Sequence, residues 1–410
     1  MTHSSPAPTD TTWDIVYFPL GAAAFGGAER SLLELAAAQQ AEGKRVLIGY
    51  ERALQDTDFI SQAEALDLPL QQVGWSPEDS LLQVARSAWQ FFRAIRPALL
   101  HFNISWRRRM WLVPVIARIA TRARLIGTMR AIPERYDRIP RRFYLGLIPG
   151  PRLWILPDLA TGRTWARSLD ITVSVNRIDF PPRLIKEFGF PESKLRVIYN
   201  GVKIPERAPT AEERLVAKIR LGMPADQFLV AYVGRLSEEK GIGHAIEAIA
   251  AGPAETQLIV AGEGAILDQL KAQASQLGIA RRVHFVGYAS QPQAIFTAAD
   301  VVVVPSLWDE AFGRVVVEAM ACGAAVIATA VGGMQEIFTD GQEGLYVPRA
   351  DSTAIAQAIS RLRDDPRYWQ DIAQAGRRLV EHKYATQRVV QEYGQLYATL
   401  VPARDAAGAP

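Results

Sequence analysis

The chain has 410 residues, 49% of them apolar and 22% charged, with a net charge of only +3. That length exceeds one ordinary core and sets an expectation of two domains, while the composition excludes a disordered or fibrous protein. The near balance of charge gives no reason to expect a nucleic-acid partner, and the single cysteine, Cys322, excludes an internal disulfide and any multi-cysteine metal site.

The first residues, 1–12, are polar and read as a disordered tail without the apolar core of a signal peptide. No apolar run reaches the roughly 18 residues that span a bilayer, so the expected location is the cytoplasm. DIVYFPL then reads as a strand and GGAERSLLELAAAQQAEG as a helix closed by glycine. RVLIGY is strand-like, SLLQVARSAWQFFRAIRP helical, and ALLHFNI, RLIGTMRA, ITVSVNR and LRVIYNG are further strands. The stretch NGVKIPERAPTAEERLVAK carries two prolines and a charge cluster, as a linker does. Beyond it the rhythm repeats: FLVAYVGR, GIGHAIEAIAAG, TQLIVAGEG, AILDQLKAQASQLG, VHFVGY, AIFTAAD, VVVVPS, VVVEAMACG, AVIATA and GLYVP. A long helical pattern, RYWQDIAQAGRRLVEHKYATQRVVQEYGQLYATL, ends the chain. Short strands alternating with helices predict α/β architecture with parallel, doubly wound sheets, and the unbroken run VVVV suits a strand buried on both faces. The expected division is 13–203 and 204–384, with 385–402 as a terminal helix and a ligand-binding cleft between two Rossmann-like domains.

The richest stretch is PSLWDEAFGRVVVEAMACG, residues 305–323. A strand should deliver it to the carboxyl edge of its sheet, where ligands face helix N-termini. A helix starting near Phe312 would aim the amides of Ala311, Phe312 and Gly313 at an anion. Eight helical residues would rise about 12 Å between Glu310 and Glu318, too far for a single acid–base pair and suited to two hydroxyl-rich rings joined by a diphosphate. Arg235 at a strand end and Lys240 opening the next helix would supply the cations. Alone, such an arginine and lysine are more often solvated; a helix-mouth anion site in the same domain reverses that weighting.

These segments together, GRLSEEKG, VAGEGAIL, VHFVGY, PSLWDEAFGRVVVEAMACG, AVIATAVGGMQEI and DGQEGLYVP, resemble the donor domain of the retaining family-four glycosyltransferases, the glycosyl transferases group 1, which have the GT-B fold. The resemblance covers residues 197–348 nearly continuously. It implies that Glu310 contacts a donor sugar, Glu318 a ribose, and Arg235 and Lys240 the pyrophosphate, without a metal or other cofactor. Phe285, Val286 and Gly287 would border the base, and Gly332 and Gly333 a turn at the site. FGGAERSLLELA is looser; Gly26 and Gly27 would bring backbone amides to the diphosphate or acceptor, though a plain strand-to-helix turn also explains them. The terminal helix would cross back to the first domain, as in the family. Where many relatives carry a histidine at the end of LIGTMRA, this chain has Arg130; with His101 it is placed on the acceptor side, although a lone histidine is more often structural.

The implied function is transfer of a sugar from a UDP- or GDP-sugar to a saccharide or lipid-linked acceptor with retention, in polysaccharide or glycolipid synthesis. A sugar-nucleotide epimerase of the same architecture and a non-catalytic scaffold are the alternatives. Twelve arginines between Trp106 and Arg152, against Glu134 and Asp137, read either as a solvated surface or as a peripheral contact with the anionic inner face of the plasma membrane. Asp56-Thr57-Asp58 reads as a surface loop, and GEGAIL lacks the third glycine of a dinucleotide fingerprint.

Overall fold

The computed structural model describes residues 13–22, 25–133, 143–144, 148–149 and 156–401. Their contacts divide into two compact units: Met1–Tyr199 with Val389–Pro410, and Asn200–Arg388. The sequence pattern set these divisions at 203/204 and 384/385.

In the first unit the strands are β1 (Ile15–Leu20), β2 (Val46–Tyr50), β3 (Leu70–Gln72), β4 (Leu99–Ile104), β5 (Arg124–Met129), a short antiparallel pair β6 (Phe143–Tyr144) and β7 (Ile148–Pro149), β8 (Ile171–Ser174) and β9 (Leu195–Val197). The main sheet runs β3-β2-β1-β4-β5-β8-β9 and its pairings are all parallel. β1, β4 and β8 are buried along their whole length, as parallel strands covered on both faces must be. The short strand β3, with its half-exposed LQQ, carries no β-branched or aromatic residue and is not legible as a strand.

The second unit holds β10 (Phe228–Val233), β11 (Thr256–Ala261), β12 (Val283–Gly287), β13 (Val301–Val304), β14 (Ala325–Thr329) and β15 (Leu345–Val347). Its sheet, ordered β12-β11-β10-β13-β14-β15, is again parallel throughout. Both units are thus doubly wound Rossmann-like sheets. In each, the first strand is flanked by its successor on one side and by a later strand on the other. That reversal of direction makes a crevice at the carboxyl ends of β1/β4 and of β10/β13.

The long C-terminal pattern is two helices, Pro366–Lys383 and Thr386–Leu400. The interruption has a local cause. Val202 inserts like a strand beside Ala385, accepting from Thr386 N at 3.1 Å and donating to Tyr384 O at 2.9 Å. From Val389 onward the chain belongs to the first unit. Val389, Val390, Tyr393, Leu396 and Tyr397 enter its core beside Ile15, Tyr17, Ile48 and Leu99. Among the described residues no helix is long and apolar enough to cross a membrane.

Candidate functional site

The crevice of the second unit is built from two loops. After β10 the chain runs through Gly234 and Arg235 into a short turn, Glu238–Lys240, and then the helix Ile242–Ala251. After β13 it runs through Pro305 and Ser306 to Glu310. Leu307 N donates to Glu239 O at 2.8 Å, tying the two loops together. Gly241 makes the approach feasible: its φ is +67°, and a Cβ there would lie 2.0 Å from Pro305 O.

That approach brings Lys240 onto Glu310. The ammonium lies 2.5 Å from Glu310 Oε1, with side chains 24% and 18% exposed. Ser306 Oγ donates to the same carboxylate oxygen at 2.7 Å, and Ser306 is itself anchored by Thr329 Oγ1 donating to its carbonyl at 2.6 Å. The Glu310 backbone is gripped from β14's side. Gly333 N donates to Glu310 O at 2.7 Å, and Gly332, at φ +49°, would place a Cβ 2.3 Å from that oxygen. The sequence turn Gly332-Gly333 therefore has a definite task, which is to hold Glu310. Tyr232, at the end of β10, is buried and donates to Arg235 O at 2.8 Å. Burial first, and the nearby Glu310 charge second, push its phenol well above its ordinary value.

The structure adjusts several expectations. The helix after Glu310 is Arg314–Ala321 with Gly313 as its N-cap, so it begins two residues later than Phe312. Phe312 is a core residue, edge-on to buried Tyr384 with ring centroids 5.5 Å apart. Only Arg314–Glu318 of the interval between the two glutamates is helical, so a helical rise over eight residues does not set their separation. The amides of Gly313 and Val315 have no acceptor within the helix, which keeps the helix mouth electropositive. Ala311 precedes it in the connecting turn. Glu318 does not join the Lys240 cluster; Arg314 Nε donates to it at 2.6 Å and both side chains are largely buried.

Arg235 stands apart from Lys240. Its side chain is 68% exposed, and its nearest recorded charge is Glu239 at 3.7 Å. Phe285 packs against the unit's core at the end of β12, Val286 is exposed, and Gly287 O accepts from Gly262 N at 2.7 Å, so the ends of β11 and β12 are joined there.

In the first unit, Gly26 caps the helix Gly27–Ala41, but its amide donates to Glu29 Oε2 at 3.0 Å. That corrects the expectation that both Gly26 and Gly27 offer amides to an anion: the first is taken internally. Glu29 is buried, which raises its carboxyl, and Arg130 lies near enough to oppose that rise. Arg130 also donates to Asn103 Oδ1, whose amide donates to Ala28 O at 3.0 Å. Glu29 and Asn103 carried no signal in the sequence as site residues.

His101 is a structural residue, not an acceptor-side one. It is 1% exposed, with Nδ1 2.7 Å from Tyr397 Oη and Nε2 2.7 Å from Thr128 Oγ1. Burial, then the Arg130 charge, lower its pKa to about 3, so the ring is neutral. Tyr17 and Tyr393 complete the network, at 3.2 Å from Tyr397 and 3.0 Å from Thr128.

The arginine-rich stretch is partly structural as well. Arg107 donates to Gly21 O at 3.3 Å, and Arg118 to Ser168 O at 2.7 Å. Arg118 also pairs with Asp170 at 2.8 Å, and Arg124 lies 3.6 Å from the same carboxylate. Glu134, Arg135, Asp137, Arg138, Arg141, Arg142, Arg152 and Trp154 lie outside the described residues. Asp56-Thr57-Asp58 is a helix start, with Thr57 accepting from Phe59 N. Among the described residues no group of three or more His, Cys, Asp or Glu could hold a metal ion.

Comparison with known proteins follows the same outline. An uncharacterised glycosyltransferase of Methanocaldococcus jannaschii is 32% identical over 216 residues, 51% of this chain and 55% of the relative. D-inositol 3-phosphate glycosyltransferase of Mycolicibacterium smegmatis is 36% identical over 188 residues, 44% of this chain and 43% of the relative. The chain thus spans about half the length of these curated relatives or less. The structure of Anabaena HepE in complex with UDP and glucose superposes with a TM-score of 0.79 at 22% identity, covering 94% of this chain and 100% of that one. The fold is therefore GT-B, two Rossmann-like α/β units, and residues 215–379, the span that carries Lys240, Glu310 and Glu318, match the model of the family described as glycosyl transferases group 1.

Proposed function

We propose that the chain is a retaining glycosyltransferase that moves a hexosyl group from a nucleotide-diphosphate sugar to a saccharide or lipid-linked acceptor in polysaccharide or glycolipid synthesis. The observation that carries this reading is the Lys240–Glu310 pair, 2.5 Å apart, assembled from the two loops that flank the β10/β13 crevice. A lysine held there by a carboxylate that a serine also anchors is a fixed positive charge beside an electropositive helix mouth. That combination suits a leaving diphosphate.

The step balances without a protein nucleophile. The bond between the anomeric carbon and the donor's phosphate oxygen breaks, and the acceptor oxygen bonds to that carbon on the same face. The acceptor's proton goes to the departing phosphate oxygen. Lys240 and, after leaving Glu239, Arg235 neutralise the diphosphate charge, so no metal is required. Glu310 orients Lys240 and accepts hydrogen bonds from the sugar, while Glu318 accepts from the ribose. HepE was crystallised with UDP and with UDP-glucose, which supports uridine donors as the first to try and GDP-sugars as the second.

The test is a panel of labelled UDP- and GDP-sugars with product analysis, in the presence and absence of EDTA. Transfer or slow hydrolysis, unchanged by EDTA, with an axial or equatorial product matching the donor, supports the proposal. An isomerised donor would identify an epimerase, and binding without turnover a scaffold.

A further inference from the structure

The helix Leu81–Ile95 turns Val84, Ala88, Phe91, Phe92 and Ile95 into the core of the first unit. Its outer face is unusual for a water-exposed helix. Leu82, Arg86, Trp89 and Arg93 recur at spacings of four, three and four residues, which aligns them in one stripe. Arg96, the C-cap in the left-handed conformation, extends it. The stripe is about 21 Å long at helical rise. No Asp or Glu occurs in the helix, so the i, i+4 ion pairs that ordinarily solvate such a face are missing. The preceding Asp79 instead faces Arg52, at 3.6 Å. Leu82 is 80% exposed and Trp89 41%, with the Arg93 guanidinium 5.6 Å from the Trp89 ring centre. The helix Leu112–Ala120 packs beside this one and leaves Ile119 68% exposed, followed by exposed Arg122.

We propose that this face of the first unit docks on an anionic bilayer, with Leu82 and Trp89 entering the headgroup boundary and Arg86, Arg93 and Arg96 meeting lipid phosphates. The inference stands mainly on a helix that precedes the arginines after Trp106; of these Arg122 borders the face, while four others hold the fold together (Arg107, Arg118, Arg124, Arg130). A soluble polyanion would answer the three arginines but leave Leu82, Trp89 and Ile119 in water. A bilayer surface answers both kinds of side chain, since apolar groups and a tryptophan belong at the headgroup level and arginines at its charge. The proposal is independent of the reaction assigned above, although a lipid-linked acceptor would make use of it.

The experiment sediments the full chain with phosphatidylcholine vesicles, with and without about 30% phosphatidylglycerol. Binding is expected only with the anionic lipid and should weaken at high salt. Removing an arginine from the surface should lower partitioning by about fivefold, and Arg86→Ala/Arg93→Ala/Arg96→Ala by about a hundredfold. Leu82→Ala/Trp89→Ala should weaken vesicle binding while leaving retention on heparin unchanged. All five side chains reach solvent, and circular dichroism confirms that the variants fold. Pelleting of the triple variant at the wild-type level would overturn the proposal. So would equal binding to neutral vesicles, or a Leu82/Trp89 double variant that binds vesicles normally while the arginines alone control heparin retention, which would identify a polyanion site.

Discussion

Replacing Lys240 with alanine separates the catalytic proposal from the fold. The ammonium and Glu310 carboxylate are each about one-fifth exposed, and Ser306 remains as a donor to Glu310 after the lysine is gone. The stability cost is therefore small, about 1 kcal/mol, in the range of partly exposed ion pairs. The catalytic cost is larger. A preorganised donor aimed at developing charge contributes about 3–4 kcal/mol to the transition state, so kcat/KM should fall by roughly 10²- to 10³-fold. Binding of UDP should weaken less, by about 10- to 150-fold, because a charged hydrogen bond contributes about 1.5–3 kcal/mol in the ground state. Arg235→Ala supplies the comparison: an exposed side chain 3.7 Å from its nearest recorded charge should matter less, by about tenfold. The assay is initial-rate kinetics with whichever labelled donor turns over, beside a thermal-shift titration with UDP. A Lys240→Ala enzyme that melts and turns over like wild type would refute the reasoning. An Arg235→Ala loss exceeding that of Lys240→Ala would show that the charge at the crevice is not set by the Lys240–Glu310 pair.

Gly332→Ala forces a Cβ to within 2.3 Å of Glu310 O at a left-handed φ, so urea unfolding should show a loss above about 1 kcal/mol, with UDP affinity falling in parallel. His101 has a folded-state pKa near 3 against an ordinary 6.5, so its contribution is fully present above pH 6.5 and is lost as the pH falls toward 3. Between pH 6.5 and 4.5 that amounts to roughly 2.3 kcal/mol, and denaturant titrations should show this acid-dependent component disappearing in His101→Gln. Truncation after Arg388 removes Val389, Val390, Tyr393, Leu396 and Tyr397 from the first unit's core, and near-ultraviolet circular dichroism should report lost tertiary packing there.

Much of the second unit was legible because its strands are apolar and its site residues cluster in a few segments. VVVVP, GRLSEEK and PSLWDE announce a strand edge, a basic loop and an acidic loop in an order that only a parallel sheet brings together. What sequence could not supply was which groups touch. Nothing in the spacing separates Lys240, which meets Glu310, from Arg235, which lies mostly in solvent five residues earlier. Ser306 was only the last residue of the segment VVVVPS, and its hydroxyl donates to the glutamate. The helix start was misplaced because Phe312 continues the apolar pattern, yet the left-handed Gly313 excludes a helix before Arg314. His101 looked cleft-facing at a strand's end; its partners, Thr128 and Tyr397, lie 27 and 296 residues away, beyond the reach of any local pattern.

The two units use the same strand order, and the contrast between their crevices argues where a diphosphate belongs. At the β1/β4 edge the polar groups serve the chain itself. Glu51 accepts from Gly21 N at 3.2 Å, Arg107 donates to Gly21 O at 3.3 Å, and Ser105 N donates to Leu20 O at 3.0 Å. Burial pushes the Glu51 carboxyl up to about 8, so at neutral pH it is protonated and adds no charge to the edge. Farther along the same loop, Gly26's amide is occupied by Glu29, an acid at the helix mouth where an anion would otherwise sit. The β10/β13 edge has the opposite character. Its carboxylate holds a lysine that still reaches solvent, and the helix behind it opens on a glycine and has no acid in its first turn. At the first edge the Glu29 side chain already holds the amide an incoming diphosphate would need, whereas the second helix mouth has no acid in its first turn to compete for one. This contrast favours Lys240 and its helix mouth as the diphosphate site of the proposed reaction, and gives the glycine-rich turn of the first unit a part in holding the backbone in shape.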